Sequence, residues 1–333
     1  GKKKKVMASN KIDLSGTLAA SLQPDDIKIV CVPHTATILE TVKTLSKNGI
    51  YSAPVVNEQE KKTLGLIDLG DVAAFLASLF FAKANTQDVN ELKKVPNSQL
   101  GPFTPPHELQ KKGVELRFRS QPVVDCMNFS KVNPYEPLPE KTTTVDQALQ
   151  ALTKVRRVVL TDESGNPVRV ISQSSVVRWL GKNNKLIGET GKTSLSNLGA
   201  ITKPLISVDS NIRGLDAFAL LATKQFSSIG IRSANEGTLL GGVSVKDLGC
   251  VASNFAALAL PVEEFLKMVR QLNLHTSYPT IGVTPNTTLV EAINKFAVTK
   301  VHRLYIHKSD TDTKDYDGLT TLGDIVRALA PLV

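Results

Sequence analysis

Apolar and polar positions along the chain fall into one recurring order. A short β-rich run leads through a polar turn into a segment of helical spacing. Two strand-like runs with a polar connection follow, and a second helix closes the set. The opening runs are Ile27 to Val32, Lys131 to Tyr135, Pro204 to Val208 and Pro279 to Val283. Helical spacing is plain in Ile38, Val42 and Leu45, and again in Leu289, Ile293 and Phe296. The strand pairs are Tyr51–Asn57 with Leu64–Leu69, Arg157–Thr161 with Val168–Ser172, Ile229–Ser233 with Leu239–Val245, and His302–Lys308 with Gly318–Leu322. The closing helices begin at Gly70, Ser174, Val245 and Gly323. Four β-α-β-β-α units of about 60 residues are predicted, in an α/β (α+β) fold.

Three of the first helices open with a capping box, in Thr37/Glu40, Thr144/Gln147 and Thr288/Glu291; in each the Thr accepts a backbone N–H and the acid or amide three residues on returns a bond. The third copy starts less cleanly, at Ser210 and Asn211. Extra length between copies one and two, rich in Pro, Lys and Gln, reads as an inserted linker with a short helix around Glu108 to Glu115. The expected division is a basic tail over 1–20, units over 21–82, 131–190, 191–262 and 263–333, and the linker over 83–130. A unit this small cannot bury its sheet alone. The simplest arrangement pairs copy one with two and three with four, as modules over 10–190 and 191–333 in a flattened disc.

Composition narrows the function. The 333 residues carry 41% hydrophobic and 21% charged side chains, ordinary values for a globular protein. The net charge of +9 owes four charges to Lys2–Lys5, which read as a solvated tail or as a nuclear-import or lipid-surface signal. Cys31, Cys126 and Cys250 form no CxxC pair, so neither a zinc site nor a disulfide framework is suggested, and a reducing, cytoplasmic or nuclear setting fits. No segment reads as a signal peptide, a membrane span or a nucleic-acid motif. Asp310, Asp312, Asp315 and Asp317 suggest calcium, yet an EF-hand counted from Asp310 would need Gly and Glu where Asp315 and Thr321 stand. His34, His107, His275 and His307 show no metal spacing. Without a nucleophile elbow, Walker loop or paired catalytic carboxylates, a non-enzyme with no cofactor or metal is expected.

Chemistry concentrates where the last strand meets the closing helix. That junction reads Gly65-Leu-Ile-Asp-Leu-Gly-Asp71, Gly241-Gly-Val-Ser-Val-Lys-Asp247 and Gly318-Leu-Thr-Thr-Leu-Gly-Asp324; copy two reads Arg169-Val-Ile-Ser-Gln-Ser-Ser175 and lacks the acid. Ser or Thr followed by Asp three residues on is also a plain helix start. Because copy two starts its helix without the acid, the acid reads as dispensable for the fold. A carboxylate there can accept from the two hydroxyls of a ribose, with Ser244 or Thr321 beside it.

The order of elements and this junction resemble the cystathionine-β-synthase (CBS) domain, which pairs into Bateman modules. The four-copy arrangement resembles the gamma subunit of the AMP-activated protein kinase. Copy four carries the likeness most fully, in Thr288-Leu-Val-Glu-Ala-Ile, Lys300-Val-His-Arg-Leu-Tyr-Ile306 and Gly318-Leu-Thr-Thr-Leu-Gly-Asp-Ile325. The resemblance implies that Asp71, Asp247 and Asp324 hold ribose, with Ser244 and Thr321, and that His302 and Arg303 face phosphates. Arg156 and Arg157 match that pair in copy two; Ile50-Tyr51 and Lys224-Gln225 stand in the other copies. Asp68 beside Asp71 should weaken binding of an anion in copy one or favour a nucleoside, and the base would lie on apolar strand residues such as Tyr51 to Val55. The implied function is a non-catalytic regulatory subunit that senses AMP, ADP or ATP and signals to a protein partner, such as the catalytic and scaffold subunits of a kinase. The alternative is a CBS scaffold that does not respond to nucleotide.

Overall fold

The computed structural model describes residues 12–24, 27–81, 113–272, 280–311 and 315–333. Lys2–Lys5, the linker from 83 to 112, His107, His275 and Asp312 lie outside the described residues.

Four repeats share one topology. Repeat 1 holds β1 (Val32–Pro33), α1 (Ile38–Lys47), β2 (Ser52–Asn57), β3 (Lys62–Asp68) and α2 (Leu69–Phe81). After α3 (Val114–Ser120), repeat 2 holds β4 (Pro137–Pro139), α4 (Val145–Leu152), β5 (Arg157–Thr161), β6 (Pro167–Ser172) and α5 (Gln173–Lys182). Repeat 3 holds β7 (Ser207–Asp209), α6 (Gly214–Lys224), β8 (Ser228–Arg232), β9 (Leu239–Ser244) and a closing 3-10 helix, Val245–Ala252. After α7 (Val262–Leu272), repeat 4 holds β10 (Gly282–Val283), α8 (Leu289–Thr299), β11 (Arg303–His307), β12 (Tyr316–Thr321) and α9 (Leu322–Leu329). In every repeat the short first strand pairs parallel with the second, which pairs antiparallel with the third.

All three expected capping boxes form. The first strands are shorter than expected and start later. Lys131–Tyr135 is not a strand: Asn128 and Lys131 take left-handed φ of 51° and 59°, so the chain turns there and pairs only from Pro137. Most of the helix expected around Glu108–Glu115 lies outside the described residues; α3 starts at Val114. Repeat 3 closes with a 3-10 rather than an α-helix, and at Gly249 a Cβ would lie 2.5 Å from Ser46 Oγ of α1, so close packing forbids a larger residue.

The chain divides into two compact bodies. One comprises residues 1–29, 136–206 and 280–333, with repeats 2 and 4; the other comprises 30–135 and 207–279, with repeats 1 and 3. Small residues explain which helices meet. In the second body, Ala74 and Ala77 of α2 pack against Ala219 and Ala222 of α6, all buried. In the first, Gly181 of α5 lies so near α8 that a Cβ would sit 2.7 Å from that of Ala297. Faces without bulk let helix axes approach, and these faces belong to alternate repeats.

Within each body, the first helix of each repeat is capped by an arm of the chain. The first helix of any repeat leaves N–H groups unpaired at its start. In each case a two-residue bridge from the segment leading into the neighbouring repeat supplies an acceptor. Arm 1 (12–24) bridges Leu18 to Thr144, and its Thr17 carbonyl accepts from Val145 N at 2.8 Å. Arm 2 (113–135) bridges Pro122 to Thr37, with Ile38 N donating to Gln121 O at 2.8 Å. Arm 3 (193–206) bridges Ser194 to Thr288, and arm 4 (255–272) bridges Pro261 to Arg213, with matching bonds of 2.9 Å from Leu289 N and Gly214 N. The arm before repeat 1 thus caps repeat 2 and the arm before repeat 2 caps repeat 1; three and four exchange likewise. Arm 2 is anchored by aromatic packing, with Phe75 of α2 5.8 Å edge-on to Phe129 and 6.4 Å from Phe118. Ile12, Leu14, Ala19 and Leu22 bury arm 1 in the core with Val145 and Leu149.

Candidate nucleotide site at the helix junctions

The closing helices of all four repeats open in the same way. Asp68, Ser172, Ser244 and Thr321 stand at the cap position, and Asp71, Ser175, Asp247 and Asp324 three residues on return a bond to the cap's own backbone N–H. The four distances are 3.0, 3.2, 2.7 and 2.8 Å. Ser175 therefore fills the capping role that the acid fills elsewhere. The inference that copy two starts its helix without that role does not hold, and capping accounts for the third position of each helix. What separates the repeats is the second carboxylate oxygen, which the cap does not use.

In repeat 1 that oxygen is consumed inside the protein. Ser130 of arm 2 donates to Asp71 Oδ1 from both its backbone N–H (2.9 Å) and its hydroxyl (2.6 Å), and Asp71 is fully buried. In repeat 4 the matching donor is Thr202 of arm 3, whose hydroxyl stands 3.5 Å from Asp324 Oδ1, too long to be a firm bond. The equivalence is one of spacing: Ser130 lies eight residues beyond the bridging Pro122, and Thr202 eight beyond Ser194. Asp324 Oδ1 also pairs with Arg327, one turn along α9, whose side chain is 57% exposed. Asp247 is buried, with Ser244 Oγ 3.0 Å from its Oδ2. Its arm is the helix α7.

Strand register settles which residues accompany each acid. Arg303 lies directly across the ladder from Thr321, and Arg157 from Ser172. The same register sets Ser52 against Asp68 and Ser228 against Ser244. The residue before each is tied by one backbone bond to the closing helix: Leu322 N to His302 O, Gln173 N to Arg156 O, Leu69 N to Tyr51 O and Val245 N to Ser227 O. His302-Arg303 therefore matches Arg156-Arg157, as expected. The counterparts in the other repeats are Tyr51-Ser52 and Ser227-Ser228, not Ile50-Tyr51 and Lys224-Gln225. Ile50 N and Gln225 N bond back to Leu45 O and Ala222 O, and Gln225 is left-handed at φ 56°, so these residues belong to the turns that close the helices and not to the strands. Cationic pairs thus occur only in repeats 2 and 4, within one compact body. Arg156, Arg157 and His302 each hold an interaction within the protein.

Directly opposed residues on antiparallel strands point to one face, so Arg303 and Thr321 share a face at the mouth of α9, where Thr321 Oγ1 lies 2.7 Å from Asp324 Oδ2. Arm 3 runs along the free edge of β12, with Thr202 N donating to Leu319 O at 2.8 Å. Repeat 4 therefore joins an acid, whose Oδ1 is paired with Arg327, with two hydroxyls and a guanidinium. Thr202 and Ser130 escape a reading of the sequence because their arms sit on repeats other than those they lead into. Arg327, spaced three residues from Asp324 on a helix, carries a local signal that could have marked it.

Of the discounted features, Asp310, Asp315 and Asp317 are engaged with Asn286, Lys308 and Lys203 respectively. No helix among the described residues is long and apolar enough to cross a membrane.

The fold has counterparts among known proteins. The CBS domain profile matches residues 25–78, 133–182 and 261–331, just over half of the chain, and leaves out repeat 3. Protein sds23 of Aspergillus clavatus is 24% identical over 305 residues, covering 87% of this chain and 54% of that protein. Protein SDS23 of Kluyveromyces lactis is 24% identical over 334 residues, covering 91% and 60%. The chain thus spans little more than half the length of these relatives. Among solved structures, protein MJ1225 from Methanocaldococcus jannaschii, proposed as an archaeal homologue of g-AMPK, matches with a TM-score of 0.68 at 17% identity, over 93% of this chain and 99% of that one. With three profile matches over just over half of its length and a fourth repeat of the same topology, the chain belongs to the CBS-domain family.

Proposed function

We propose that the protein is a non-catalytic regulatory subunit that binds an adenine nucleotide at repeat 4 and passes its occupancy to a protein partner, such as a protein kinase. The observation that carries this reading is the placing of Arg303 across from Thr321, beside an Asp324 oxygen held only by an exposed Arg327 and a distant Thr202. Asp324 would accept from the ribose hydroxyls, and Arg303 with His302 would meet the phosphate, for which a guanidinium offers a fixed fork of donors. AMP, ADP and ATP all satisfy that chemistry. The relation of MJ1225 to g-AMPK supports the kinase as partner. The cytoplasm, or the nucleus, is the compartment that fits.

A scaffold without nucleotide response is the second reading. It is favoured by the engagement of every N3 acid in a helix cap, and by the sealing of Asp71. Titration of the whole protein with AMP, followed by calorimetry and thermal shift, separates the two. A binder gains about 2.7 kcal/mol of stability at a hundred times its Kd. Asp324→Asn keeps a capping acceptor and should abolish most of that gain. Absence of any shift at millimolar AMP in the unaltered protein would leave the scaffold.

A further inference from the structure

The bonds that Asp324 already makes limit what a sugar can take from it. Oδ2 accepts from Thr321 twice, from the backbone N–H at 2.8 Å and from the hydroxyl at 2.7 Å. A carboxylate oxygen has two lone pairs, so the cap fills Oδ2. Oδ1 accepts from Arg327 Nη2, while Thr202 Oγ1 stands 3.5 Å away. One acceptor position on Oδ1 is left, and a ribose presents two neighbouring hydroxyls. The same oxygen in repeat 1 does take a pair of donors, the N–H and the hydroxyl of Ser130 on Asp71 Oδ1. In repeat 4 half of that capacity is held by an arginine of the protein itself.

Arg327 is placed to do this and is not locked in place. It lies three residues beyond Asp324 on α9, a spacing that brings side chains together on one helix face. Gly323 leaves room beside it: a Cβ there would stand 3.4 Å from Arg327 Nη1 and 3.3 Å from the side-chain amide of Gln173. The Asp324 side chain is 10% exposed and that of Arg327 57%, so water reaches the pair from the arginine's side. Ion pairs open to water in this way are weak. A guanidinium that leaves is readily hydrated, whereas Ser130 is buried where it grips Asp71.

The matching position differs among the repeats. Ala74 and Cys250, both buried, stand three residues beyond Asp71 and Asp247, so neither repeat 1 nor repeat 3 can set a cation there. Repeat 2 has an exposed arginine, Arg178, three residues beyond Ser175, which carries no charge to hold it. Acid and arginine occur together at this spacing in repeat 4 alone among the four closing helices.

Resting on the ribose site proposed above for repeat 4, we propose that Arg327 is a built-in competitor for the sugar: its guanidinium holds the Asp324 oxygen that the two ribose hydroxyls need, and a nucleotide binds by displacing it. The apparent affinity is then lowered by the share of molecules in which Arg327 sits on Asp324. The displaced guanidinium moves to the exposed flank of α9. Gln173 of α5, which shares the space at Gly323, donates from its side chain to Leu152 O at the end of α4. The group that moves on binding therefore lies against repeat 2 of the same body.

Calorimetric titration of the whole protein with adenosine and with AMP tests this. Adenosine brings the ribose without a charge. Arg327→Met keeps aliphatic bulk but removes the pair, and should bind adenosine about two- to fivefold more tightly. Arg327→Lys keeps the charge and should stay near the unaltered protein. AMP should gain less from Arg327→Met, because the variant also loses a charge that attracts an anion. Salt screens an exposed pair, so adenosine binding to the unaltered protein should tighten about twofold between roughly 20 mM and roughly 500 mM salt. Arg327→Met should show no such rise, a difference that a merely structural role in α9 would not produce. Adenosine affinity unchanged or weakened in Arg327→Met, the same salt dependence in both proteins, or binding of AMP with adenosine bound by neither would overturn the competitor and leave the nucleotide site standing. Failure of both ligands to bind either protein would overturn the two together.

Discussion

Gly318 of β12 and Thr202 of arm 3 are packed so closely that a Cβ on the glycine would stand 2.9 Å from the Thr202 carbonyl oxygen. Lys203 Cγ would lie at the same 2.9 Å, but a side-chain tip can move, whereas the Thr202 carbonyl is held by Leu319 N at 3.0 Å. Gly318→Ala should therefore push arm 3 off the sheet edge and carry Thr202 away from Asp324. We expect a loss of about 1–3 kcal/mol in stability, with weakened AMP binding and faster exchange of the Thr202 amide. Unchanged exchange at Thr202 would show that the edge yields without moving the arm.

Ser175 gives a test of the capping account. Ser175→Asp should place an acid where the other repeats have one, and unfolding free energy should change by less than about 0.5 kcal/mol. Ser175→Ala removes the returned bond to Ser172 N and should cost about 1 kcal/mol. Denaturant unfolding measures both. Equal costs for the two variants would mean that Ser175 plays no part in the cap.

Leu14 is 2% exposed within the core that arm 1 shares with repeats 2 and 4. Leu14→Ala should cost about 2–5 kcal/mol. Its signature in hydrogen exchange should appear at Val145, whose N–H bonds to arm 1, and not at Ile38, whose N–H bonds to arm 2. Loosening at Ile38 with Val145 still protected would contradict the exchange of arms.

Gly181 offers a test of helix packing in the body that holds the cationic pairs. Gly181→Val would add bulk where even a Cβ meets that of Ala297 at 2.7 Å. The variant should lose about 1–3 kcal/mol or more, with faster exchange in α5 and α8. Ala297→Gly should restore part of the loss when combined with Gly181→Ala, and a double-mutant cycle of the two would measure the coupling.

Local signals were legible and distant ones were not. The capping boxes at Thr37, Thr144 and Thr288 depend on residues three apart, so the sequence displays both partners. The order of strands and helices follows from periodicity in the same way. The partnership of α2 with α6 depends on Ala74, Ala77, Ala219 and Ala222, which are small residues on helices about 145 positions apart and look like ordinary helix formers. The register that sets Ser52 and Ser228 in the places of Arg303 comes from backbone pairing, which side-chain types do not display. The acid at the helix mouth was visible, but whether its second oxygen takes two donors from Ser130 or stands 3.5 Å from Thr202 depends on where a remote arm comes to lie.

The exchange of arms also constrains how such a chain can be assembled over evolutionary time. A single repeat lifted out with its own preceding segment would bring a clasp that fits its neighbour and would leave its own first helix open. A consecutive couple carries both clasps and both recipients. Copies of this fold should accordingly be gained and lost two at a time, which makes the couple, rather than the motif, the unit of inheritance.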